Sequence, residues 1–216
     1  MKITAITAQV RNENRVNVSV DGVYLFSLDM YQLVDVGVKV GYEYSQEELA
    51  ELQQESEFGK LYGRALEYTL MRPHSEKEVR DYLWRKTRAT KYKSKMTGEV
   101  KERQGASQKN ADRVLERLKE KGYVNDETFA KYWLENRSLV KGASRRKLQL
   151  ELRQKGVETS IIEQSLQNSS RDDTEELAKI ILKKQHLYDD QQKLMTYLVG
   201  QGFSYDMVKR ALSDDQ

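Results

Sequence analysis

The stretch ERLKEKGYVNDETFAKYW, Glu116 to Trp133, closes one helical pattern and opens another with hardly a spare residue. Gly122 stands where a helix ends in the left-handed conformation that glycine adopts without a Cβ clash. Asn125 or Asp126 follows as the N-cap of the next helix, because a short polar side chain there can accept from an orphan backbone N–H. Phe129 and Trp133 are four residues apart and so share one helical face, a core stripe, with Tyr132 beside it. Tyr123 is placed to staple the junction. Gly122, Tyr123, Asn125, Asp126 and Phe129 are therefore expected to carry the fold rather than the function.

A tight helix-stop-helix junction invites a search for a period. Leu152, Gly156 and Leu166 recur 46 residues later as Leu198, Gly202 and Leu212, and Val114 and Leu118 recur 48 later as Ile162 and Leu166. Ala65, Ala130 and Ala178 fall at matching places in the leading helices. The predicted architecture is mainly α: three tandem three-helix repeats in an elongated array, since one narrow apolar stripe per helix needs a stacked neighbour. A small three-stranded β-module precedes them. Its signals are the alternation of Val16, Val18 and Val20, the Asp21-Gly22 turn, and the return strand VYLFSL. The expected divisions are 1–57 for the β-containing module, 58–126, 127–170 and 171–216 for the repeats. Capping boxes are read at Ser45 with Glu48 and at Ser75 with Glu78, and a cap at Asp29.

Net charge is only +3, from 37 basic and 34 acidic residues. Its distribution is uneven. Arg85 to Lys109 holds nine basic residues against two acidic, +7, which leaves the rest of the chain at −4. This surplus coincides with an insertion of about 88–108 that only the first repeat carries. Everything after Pro73 otherwise reads as helix. Thr87 stands where the other repeats have Gly156 and Gly202, so the preceding helix is expected to run on before fraying into a polar loop.

YGRALEYTLMRPHSEKEVRDYL (Tyr62 to Leu83), LKEKGYVNDETFA (Leu118 to Ala130) and GASRRKLQLELRQKGV (Gly142 to Val157) resemble the RecX regulatory proteins. The resemblance covers roughly Tyr62 to Leu212, and the β-rich beginning is similar to the extension of longer family members. It implies a non-enzymatic modulator of the RecA recombinase. Such a protein binds RecA filaments on single-stranded DNA along the groove, suppressing ATP hydrolysis and strand exchange. The Thr87 departure and the length of the insertion leave the geometry of the first repeat open.

Candidate contact residues are Arg88, Lys91, Lys93 and Lys95, with Tyr92 as one ring for base stacking. Arg145, Arg146 and Lys147 sit in the first turns of a helix, where cations oppose the macrodipole, so an anionic partner would account for them. Arg137 matches a family position and could join them, or could close a salt bridge inside its repeat. The alternative function is direct DNA binding by tandem helix-turn-helix-like units.

Catalysis and cofactors find no support in the residue inventory. There is no cysteine, the two histidines are far apart, and no G-x-x-x-x-G-K-[ST] loop occurs. Asp172-Asp173 and Asp189-Asp190 are read as helix caps. The expectation is a monomer without metal or cofactor, acting in the cytoplasm: no apolar run reaches membrane-spanning length and no signal-peptide core is present.

Overall fold

The structure is a computed structural model that describes residues 1–10, 12–94 and 97–213. The candidate Lys95 lies outside the described residues. Two compact units emerge: Met1–Met71 with Arg80–Tyr123, and Arg72–Val79 with Val124–Gln216.

In the first unit, β1 (Ile3–Gln9), β2 (Asn12–Val20) and β3 (Val23–Asp29) form an antiparallel meander in the order β1-β2-β3. Asp21 and Gly22 turn the second hairpin with φ of 47° and 83°, the paired positive values that a two-residue turn requires. Three strands bury too little to stand alone. Val16, Val18, Val20, Phe26 and Leu28 therefore pack with Leu49 and Leu52 of α2 (Gln46–Met71). Asp29 caps the short α1 (Met30–Val36) in a full capping box with Gln32, and Ser45 and Glu48 do the same for α2.

After α3 (Glu76–Thr87) the chain does not continue as helix. It forms a hairpin of β4 (Thr90–Lys93) and β5 (Val100–Arg103) before α4 (Gln108–Glu120). The expectation of a helix running into a polar loop is thus corrected. The amide of Ala106 bonds the carbonyl of Lys86 at 2.9 Å and ties the returning strand to the end of α3. Gly105 allows this closure, since a Cβ there would collide with the Thr87 carbonyl. Thr90, Tyr92 and Val100, residues that favour strands, then extend the ribbon.

At the opening junction, Gly122 has φ +74°, its amide bonds Lys119 and the Tyr123 amide bonds Leu118, both at 2.9 Å. This is the two-bond helix ending that satisfies carbonyls otherwise left over in the last turn. Tyr123 keeps 41% of its surface exposed, and it is the next residue, Val124, that is buried.

The second unit holds α5 (Asp126–Asn136), α6 (Arg145–Gln154) and α7 (Thr159–Gln167), then α8 (Asp173–Lys184), α9 (Gln191–Gly200) and α10 (Tyr205–Ser213). Asn125, not Asp126, is the cap of α5 and accepts from the Thr128 amide at 2.8 Å. Phe129, Ala130, Leu148, Leu152 and Ile162 make one core, and Leu177, Leu194, Leu198, Val208 and Leu212 the next. Ala178 is exposed and Leu177 fills the core position, so the third leading helix is set one residue earlier than the alanine pattern predicts.

A recurring set of hydrogen bonds joins successive middle helices. The Ser75 hydroxyl donates to the carbonyl of Lys155, and the Ser144 hydroxyl to that of Gln201. The Glu76 amide donates to the Asp126 carboxylate, and the Arg145 amide to that of Asp173. Each serine also caps its own helix, through the Glu78 and Lys147 amides respectively. Both serines are fully buried. One oxygen thus starts a helix and satisfies the end of the next middle helix.

Candidate functional site

The charged insertion becomes a ribbon whose register sorts its side chains. Thr90 pairs with Arg103, Lys91 with Glu102, Tyr92 with Lys101 and Lys93 with Val100. Opposite residues share a face and successive residues alternate. Lys91 and Lys93 therefore lie on one face with Glu102 and Val100, and Tyr92 lies on the other with Lys101 and Arg103. Tyr92 is half exposed. The ring and the two lysines that flank it in sequence consequently address different sides. Lys101 and Arg103, which charge counting alone did not single out as contacts, are the cations that accompany the ring.

Arg88 precedes the ribbon and its guanidinium lies 4.4 Å from the centroid of the half-exposed Trp84 ring. Lys86 similarly stands over Tyr82, which stacks on Tyr68 with centroids 4.4 Å apart. Rings hold these cations while leaving their polar edges in solvent.

The basic residues of the second unit are mostly engaged internally. Arg137 meets Glu151 through two hydrogen bonds, 3.0 and 3.3 Å, over the Trp133 ring. Arg145 donates to the carbonyls of Leu166 and Arg171. Lys147 donates to the Gln201 side chain at 2.6 Å. Arg146 is exposed and, alone of the four, has neither a side-chain hydrogen bond nor an ion pair among the described residues.

Around Trp133 the second unit is knit by charge. Its indole N–H donates to Glu151, and the Lys155 ammonium stands 5.3 Å from the ring centroid. Lys155 also donates to Glu78 at 2.6 Å, and Glu78 accepts from Arg72 and meets the buried His74. Burial works to raise the Glu78 pKa, but hydrogen bonds from Arg72 and Lys155, and their charges, overcome it and lower it to about 2. Glu78 was expected to complete a capping box; its carboxylate serves this network instead, while its amide takes the serine cap. Among the described residues no three His, Asp or Glu side chains gather as metal ligands, and no helix is long and apolar enough to cross a membrane.

A three-stranded sheet followed by tandem three-helix repeats, with surplus cations on an inserted ribbon, defines a mainly helical repeat protein. Residues 125–166 match the second three-helix domain of RecX, and residues 1–44 the N-terminal domain of Regulatory protein RecX. The regulatory protein RecX of Bacillus licheniformis is 30% identical over 98% of this chain and 76% of its own length. That of Clostridium perfringens strain SM101 is 31% identical over 95% and 92%. A crystal structure of regulatory protein RecX superposes with a TM-score of 0.68 at 22% identity, covering 96% of this chain and 97% of that one. The chain belongs to the RecX family.

Proposed function

We propose that this protein binds RecA filaments assembled on single-stranded DNA, bridges neighbouring protomers along the groove, and thereby inhibits ATP hydrolysis and strand exchange. The observation that supports this most is the near-full-length similarity to regulatory relatives, together with repeats that hydrogen-bond in series. A chain of repeats coupled in this way can touch two protomers at once and oppose the relative movement that turnover requires. Cations that form no ion pair among the described residues, Lys91, Lys93 and Arg146, suit an acidic protein surface or phosphates and would steer association. Direct groove reading by α6 draws less support, because Arg145 and Lys147 already donate to groups of their own unit. The protein acts without catalysis or cofactor, as a monomer in the cytosol.

Titrating the protein into RecA turning over ATP on single-stranded DNA tests the reading. Turnover falling to a low plateau near one bound protein per few protomers is expected. Undiminished turnover at saturation overturns it. Binding to naked duplex as tight as to RecA-coated DNA, at one salt concentration, would favour the helix-turn-helix alternative.

A further inference from the structure

A second concentration of positive charge lies within the first unit, assembled from parts far apart in sequence. A cleft of about 490 Å³ is lined by Arg15 of β2, Lys60 and Arg64 of α2 and Arg103 of β5, with Glu67 the one acidic residue on its wall. None of the four cations forms an ion pair among the described residues. Arg15 is held by the carbonyl and hydroxyl of Ser27, 2.8 and 3.3 Å away, which leaves its remaining N–H groups uncommitted. The nearby Glu57 accepts three hydrogen bonds from Ser107 and Asn110. Burial first, then Arg15, Arg64 and Arg103, hold the Lys60 ammonium below the usual lysine range, with Glu57 only partly opposing them.

The floor of the cleft supplies an independent sign. Gly59 and Gly63 both line it from the interior of α2, where glycine is unfavourable. Gly59 has a packing reason, since a Cβ there would strike the side chain of Gln32. Gly63 has none: a Cβ would meet nothing within 4 Å. A helix glycine with open space above it, lining the same cleft as four cations, fits a backbone that something outside the protein approaches closely.

We infer that this cleft is a binding site for a phosphate group, with Arg15, Lys60, Arg64 and Arg103 as its donors and Gly63 as the point of close approach. A tetrahedral oxyanion accepts from several N–H groups at once and cancels the repulsion that gathers them. The half-exposed Tyr24 ring on the same wall can pack against whatever group the phosphate carries. The site does not depend on RecA, and its test contains none.

Binding of inorganic pyrophosphate and of a short oligothymidylate is measured by calorimetry at low salt on the full chain. The double variant Lys60→Gln/Arg103→Gln should weaken whichever probe binds by about tenfold or more, the worth of one charge-assisted hydrogen bond. Lys91→Gln/Lys93→Gln, which removes the same charge elsewhere, should leave pyrophosphate binding within about twofold; an equal loss would reduce the cleft to diffuse attraction and overturn the site. Gly63→Ala should raise the melting temperature by about 2–4 °C yet weaken the same probe, a split of sign that mere misfolding cannot produce. Pyrophosphate binding without oligonucleotide binding identifies a small phosphate ligand, and the reverse a nucleic-acid strand. Failure of both probes to bind, or unaltered binding in the cleft variants, overturns the inference.

Discussion

Replacing Ser144 by alanine removes two hydrogen bonds that meet at one buried oxygen. The hydroxyl accepts from the Lys147 amide at 3.1 Å, capping α6, and donates to the Gln201 carbonyl at 2.7 Å, closing the end of α9. Losing an N-cap costs about 1 kcal/mol. Depriving the part-buried Gln201 carbonyl of its donor adds about 1–2 kcal/mol, as water cannot readily take the place of the fully buried Ser144 hydroxyl. The sum is about 2–3 kcal/mol, which for a chain of this length lowers the melting temperature by about 4–12 °C. Ser45→Ala is the internal comparison. Its hydroxyl makes the same cap bond, to the Glu48 amide at 3.1 Å, but in an exposed setting, so about 1 kcal/mol and 2–4 °C are expected. Calorimetry ranks the two, and hydrogen exchange followed by mass spectrometry should place the new flexibility at the start of α6 and the end of α9 together. A Ser144→Ala loss no larger than that of Ser45→Ala would refute the two-sided role of this oxygen. So would exchange that rises at α6 alone.

Glu78 sets an acid limit. Its folded pKa of about 2 lies below the ordinary 4.5, so its stabilisation is complete above pH 4.5 and drains away as pH falls towards 2. That lowering corresponds to about 3 kcal/mol; urea titrations should show wild type losing this and Glu78→Gln, already weakened at pH 7, losing far less over the same range. Gly122→Ala forces alanine to φ +74° and should cost about 1–2 kcal/mol, read as a fall in melting temperature of about 2–8 °C. Lys91→Gln/Lys93→Gln should raise the concentration for half-inhibition of RecA turnover by about three- to tenfold at low salt, with the gap narrowing as salt rises. An unchanged half-inhibition point at low salt would remove that face of the ribbon from the contact.

The helical part of the fold was legible because its signals are local. Leu152 and Leu198, and Ile162 and Val208, recur at fixed distances and are all fully buried. Gly122 and Asn125 mark a helix end and start within four residues. The ribbon escaped for the opposite reason: TKYK and VKER are four-residue strands with every side chain exposed, so no apolar alternation betrays them. Their return is tied to α3 by a backbone bond between Ala106 and Lys86, for which the missing Cβ of Gly105 leaves room, and neither feature leaves a periodic trace. Ala178 misled for a related reason. An alanine matched by spacing says nothing about which of two adjacent small and large residues faces inward, and the core selected Leu177.

Charge in sequence counts cations without saying which of them have partners. Arg137, Arg145 and Lys147 looked as available as Arg146, yet their donors go to Glu151, to the carbonyls of Leu166 and Arg171, and to Gln201. Each therefore holds its own unit together, and an anionic partner would have to break that bond before gaining another. The reverse holds for Lys60, Arg64 and Arg103, whose side chains meet no acceptor among the described residues, and in part for Arg15, which Ser27 holds through one nitrogen only. They are scattered over some ninety residues, and only the sheet, α2 and the ribbon folded together bring them to one cleft. What distinguishes a binding cation from a structural one is the absence of an internal acceptor, a property of the folded neighbourhood. Substitutions at Arg137 or Arg145 should accordingly show first as lost stability, and those at Lys60 or Arg103 first as lost affinity.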